Sequence, residues 1–75
     1  MITATQCRSA RALLGWSIAK LASAASVSES VIDDFELERR MPEPGALDQI
    51  RRALEAVGVA FLADDDVRLR PPAMT

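Results

Sequence analysis

Apolar residues recur with a helical period over most of this chain and with an alternating period near its end. Cys7, Ala10, Leu13 and Leu14 return on one face while Gln6, Arg8, Ser9 and Arg11 fall elsewhere, which predicts a helix over roughly residues 4–14. Thr3-Ala4-Thr5-Gln6 has the spacing of a capping box at its start, with Ile2 and Cys7 at the positions of a hydrophobic staple. Gly15 stands where a left-handed C-terminal residue belongs, and Ser17 is the N-cap of a second helix over 18–25 with Leu21, Ala22 and Ala25 inward. The chain must bend at Ser26, because Val27 is apolar and Ser28 is another N-cap with Glu29 beside the positive helix end. A third helix is expected from Glu29 to about Glu38, with Val31 or Ile32 and Phe35 inward.

Two prolines and a glycine in Arg39-Arg40-Met41-Pro42-Glu43-Pro44-Gly45 make that segment the main loop. Beyond it Leu47, Ile50, Leu54 and Val57 carry the core-facing spacing of a fourth helix, closed by Gly58. Val59, Phe61 and Ala63, then Val67 and Leu69, alternate as short strands do, with Asp64-Asp65-Asp66 as their turn. Residues 1–70 thus form one domain with a ribbon over 59–70, and residues 71–75, containing Pro71 and Pro72, are expected to be a disordered tail.

Composition restricts what such a domain can do. Its 75 residues hold a single thin core, and a catalytic cleft is not expected. No apolar stretch approaches the roughly 20 residues of a bilayer crossing, and the first residues lack the order of a signal peptide, so the expected location is cytoplasmic. Cys7 is the single cysteine and histidine is absent, which excludes Cys/His zinc sites; no metal or cofactor is expected. Three adjacent acids at 64–66 lack the spaced oxygens of a calcium loop. Ser17, Ser28 and Ser30 have no base to activate them, so no catalytic residue is assigned.

Two short helices joined by a tight bend, the second opening with Ser28, form a helix-turn-helix, with Leu21, Ala22, Ala25, Val27, Ile32 and Phe35 locking the pair. The strings TQCRSARALLGWS, LASAASVSESVIDDFE, RRMPEPGALDQIRRALEAVGV and VRLR, which span nearly the whole chain, resemble the lambda-repressor-like (Cro/CI, XRE-type) DNA-binding family of bacterial regulators. The resemblance implies an all-α domain of four or five helices with a short C-terminal β ribbon. It also implies a homodimer that binds double-stranded DNA through its third helix.

Carried over by position, the base-facing residues are Ser28, Glu29, Ser30 and Asp33, with Asp34 beside them, and the phosphate-facing residues are Ser17, Lys20, Arg39 and Arg40. Ile18 stands where the family usually has Gln, Lys20 forfeits the capping box of helix 2, and Ser26 replaces the usual Gly of the bend. The expected dimer interface comprises Leu54, Val59, Phe61, Leu62, Val67 and Leu69, because an exposed two-stranded ribbon is a liability for a monomer.

Charge argues in the other direction. Lysine and arginine total 9 against 11 acids, and Glu29, Asp33, Asp34, Glu36 and Glu38 crowd helix 3 with no base among them. Affinity for DNA rests on neutralising phosphates, so these carboxylates need roles of their own. One of them can accept from cytosine N4. The alternative is a protein-interaction module of the same fold, antitoxin-like, adaptor or anti-activator, whose acidic helix 3 meets a basic protein partner.

Overall fold

The computed structural model describes residues 2–69 and contains four helices followed by one hairpin: α1 (Ala4–Leu14), α2 (Ile18–Ala25), α3 (Glu29–Glu36), α4 (Pro44–Ala56), β1 (Val59–Phe61) and β2 (Val67–Leu69). The chain remainder assigned to a disordered tail, 71–75, lies outside the described residues. α2 packs against α3 and α4, α1 against α3 and β2, and β1 against α4. Leu21, Ile32, Ile50, Leu54, Val59 and Cys7 are fully buried at the centre. The strands are antiparallel, with Val59 opposite Leu69 and Phe61 opposite Val67.

Three successive helices end in the same way. The amide of Trp16 donates to Arg11 O and that of Gly15 to Ala12 O; Val27 and Ser26 repeat the pattern on Ala22 and Ser23, and Arg39 and Glu38 repeat it on Asp34 and Phe35. Each is a Schellman motif whose pivot is left-handed, at Gly15 (φ 68), Ser26 (φ 59) and Glu38 (φ 58). Glycine occupies only the first of them. The third explains why α3 stops at Glu36, two residues before the expected end: Glu38 is the reversal itself, not a helical residue.

Several inward assignments shift. Leu13 is exposed, whereas Gln6 is buried and Arg11 turns inward, because α1 presents Ala4, Cys7 and Ala10 to the core and leaves Leu13 beside the hairpin. Gln6 completes the capping box with Thr3 and also donates through Nε2 to Leu62 O at 2.9 Å, which ties the hairpin to the start of α1. α4 begins at Pro44, inside the expected loop, since proline at the first helical position gives up only an amide that has no helical partner. Val57 lies past its last turn and is exposed. β1 ends at Phe61 and leaves out Ala63, because Asp64 (φ 61) and Asp65 (φ 62) already reverse the chain.

Two of the residues assigned to a dimer interface are spent on the chain's own core. Leu54 and Val59 are both 0 % exposed and have no surface to offer a second copy. Phe61 and Val67 are half-buried against the same core, and only Leu62 and Leu69 of the expected set are exposed.

Candidate nucleic-acid interface

α2 and α3 are held at a fixed angle by the turn between them. Leu21, Ala22 and Ala25 bury one side of α2, Ile32 and Phe35 bury one side of α3, and half-buried Val27 fills the corner. Both helices start on a serine: the Ser17 hydroxyl accepts from Lys20 N at 3.0 Å and the Ser28 hydroxyl from Val31 N at 3.3 Å. These hydroxyls are committed as caps to the backbone of their own helix starts.

Ser28, Glu29 and Ser30 are exposed at the start of α3, and Asp33, one turn further on, is half-buried. At about 100° per residue Glu29, Asp33 and Ser30 fall on one flank of α3, beside its buried stripe, and Ser28 caps its start. Of the phosphate-facing set, Lys20 is exposed with its Nζ 5.5 Å from the centroid of the Trp16 ring, a cation–π arrangement on the outside of α2. Arg39 lies 4.0 Å from Asp33 and 3.7 Å from Asp34. Arg40 has no ion pair among the described residues and shares a cleft of about 520 Å³ with Ser28, Ser30 and Asp34.

The five acids of the helix-3 region are not equivalent. Glu36 points inward: Arg11 Nε donates to its Oε2 at 2.7 Å and Arg11 Nη2 to its Oε1 at 2.7 Å, a bidentate pair. The same Oε2 accepts from the Cys7 thiol at 3.2 Å, and Arg11 Nη1 donates to Trp16 O at 2.9 Å. This cluster ties α1, the first turn and α3 together. Its hydrogen bond to Glu36 raises the Arg11 guanidinium above its ordinary value, and burial, reinforced by Glu36, pushes the Cys7 thiol far above the usual thiol range. Cys7 is accordingly a neutral donor inside the core.

The helical period places Arg11 off the apolar face of helix 1, and its partner stands 25 positions away, beyond the reach of local pattern. The signal was present all the same: Glu36 follows Ile32 and Phe35 on one helical stripe, and a charge on a buried stripe requires a partner. With Glu36 neutralised and Asp33 and Asp34 sharing Arg39, Glu29 and Glu38 are the helix-3 acids left without an ion pair among the described residues.

Among the described residues there is no cluster of side chains able to hold a metal, and no helix is long and apolar enough to cross a membrane. The architecture around the Ser26 turn is that of a helix-turn-helix domain. The family model for the helix-turn-helix, of the XRE, lambda-repressor-like type, matches residues 8–62, and the chain belongs to this family of DNA-binding domains. No curated protein matches it closely enough to count as a relative.

Proposed function

We propose that the chain is a sequence-specific DNA-binding transcriptional regulator that works in the cytoplasm as a homodimer. The observation that carries this reading is the accessible first turn of α3, where Ser28, Glu29, Ser30 and Asp33 stand at the start of the second helix of a helix-turn-helix whose family binds DNA. α3 enters the major groove, Glu29 or Asp33 accepts from cytosine N4, and the start of α2, Lys20, Arg39 and Arg40 meet phosphates. In the dimer two copies of α3 are spaced roughly 34 Å apart to reach successive major grooves. The exposed apolar residues Leu62 and Leu69 of the ribbon, and Val57 two positions before β1, support the second copy's contact there.

The test is selection of genomic fragments, the gene's own upstream region included, by the purified protein at low and moderate salt. Enrichment of one palindromic sequence that survives moderate salt is the expected result. Failure to enrich any sequence, from protein shown folded by circular dichroism, would sink the reading. Light scattering that returned a monomer at high concentration would remove the dimer.

Glu29 and Glu38 favour a second reading, in which the acidic side of α3 docks a basic protein surface. Under it Glu29→Ala abolishes partner binding, whereas under the first it alters sequence preference and relieves repulsion from phosphates.

A further inference from the structure

The ion pair of Arg39 with Asp33 and Asp34 joins a residue assigned to base edges with one assigned to phosphates, at 4.0 and 3.7 Å. We propose that these two carboxylates hold Arg39 in reserve, so that phosphate contact by Arg39 is coupled to what Asp33 finds in the groove; this rests on the DNA-binding reading above. All three side chains are accessible, with relative exposures of 64 % for Arg39, 47 % for Asp33 and 34 % for Asp34, so the pair can be exchanged without opening the core.

On DNA of arbitrary sequence, Asp33 meets no donor in register. Moving Arg39 to a phosphate then strands two carboxylates in the field of the duplex, and they recruit cations from solution. That uptake offsets the counterion that the arginine displaces from DNA, which is the main source of non-specific affinity. Where a cytosine amino group lies under Asp33, the carboxylate gains a donor and Arg39 can leave it at a smaller loss. Asp33 and Asp34 thus suppress binding to the wrong sequence rather than binding in general. The arrangement also accounts for two of the acids in this helix without giving each carboxylate a base to read.

Fluorescence anisotropy with a random-sequence duplex over a salt series, alongside the duplex recovered by selection, tests this on four proteins. They are the natural chain, Asp33→Asn/Asp34→Asn, Arg39→Ala, and the triple variant. The neutral double variant is expected to bind the random duplex about three- to tenfold more tightly, with a log–log salt slope steeper by about one. Its preference for the selected duplex should shrink, and the gain should be missing when the triple variant is compared with Arg39→Ala. An equal gain in the Arg39→Ala background would mean that the acids act by plain repulsion, and would overturn the coupling; so would no gain at all. If the natural chain and every variant leave both duplexes unbound at low salt while folded by circular dichroism, the DNA-binding reading itself falls and takes the coupling with it.

Discussion

Truncating Arg11 should destabilise the protein more than truncating Glu36, although the two residues form a single ion pair. The asymmetry comes from their surroundings: the Glu36 side chain keeps 4 % of its exposure and that of Arg11 keeps 19 %. In Arg11→Ala, Glu36 retains only the Cys7 thiol as a donor and is left as a charge in the core, which costs about 3–5 kcal/mol. In Glu36→Ala, Arg11 retains its hydrogen bond to Trp16 O and can lean into water, so the loss is nearer 1–3 kcal/mol. A domain of 75 residues has roughly 4–11 kcal/mol in total, so Arg11→Ala removes a large share of it and Glu36→Ala a smaller one. Removing both charges with Arg11→Met/Glu36→Leu should recover much of the deficit, since no charge is then stranded. Urea unfolding followed by circular dichroism measures all three; with a slope of about 1 kcal/mol/M, Arg11→Ala should lower the midpoint by about 3 M or more. The reversed order for the two single variants, or a double variant as weak as Arg11→Ala, would refute the argument from stranded charge.

The two non-glycine pivots give the next expectation: Ser26→Gly and Glu38→Gly should each stabilise by about 1 kcal/mol through relief of the left-handed backbone at φ 59 and φ 58, read as a higher Tm. A lower Tm in either variant would mean that its side chain makes contacts worth more than the strain. Cys7, at 0 % exposure, should resist thiol reagents at a rate limited by opening of the fold, and modification as fast as a free thiol would contradict its burial. Because burial raises its folded-state pKa, the folded chain binds the thiol proton more tightly than the unfolded one. Stability should therefore decline as pH rises above the unfolded thiol's value of about 8.5, and this decline should be absent in Cys7→Ala. Asp48 shows the opposite sign. Arg51, with help from Arg52, holds its carboxyl below the ordinary range, so its contribution is present above the unfolded value of about 3.9 and is lost as pH falls through the lower folded value. Asp48→Asn should flatten that part of the acid unfolding curve; an unchanged curve would show that the pair on α4 contributes nothing.

Much of the backbone was determined locally and could be read from the sequence. The capping box of Thr3 and Gln6, the caps at Ser17 and Ser28 and the reversals at Gly15 and Ser26 each depend on residues within a few positions of one another, which is why the bounds of α1 and α2 match expectation. The helical period likewise marked Leu21, Ile32, Leu47, Ile50 and Leu54 as core. The reversal at Glu38 is not legible in the sequence, because glutamate has no preference for the left-handed region; the surrounding hydrogen bonds impose it.

The candidate site divides along the same line. That Glu29, Ser30 and Asp33 share a flank of α3 follows from helical geometry once its cap, Ser28, is known. Which acids remain free does not, because Arg11 and Glu36 meet only when α1 is laid across α3. Tertiary structure also removed Val59 from the surface, placing the hairpin on α1 and α4 through the Gln6 amide and the core. By itself the sequence determined where helices begin and turn, since caps and periodicity act over one or two turns. Only the packed fold decided which charges are neutralised and which apolar side chains remain for a partner, since both depend on contacts between residues distant in the chain.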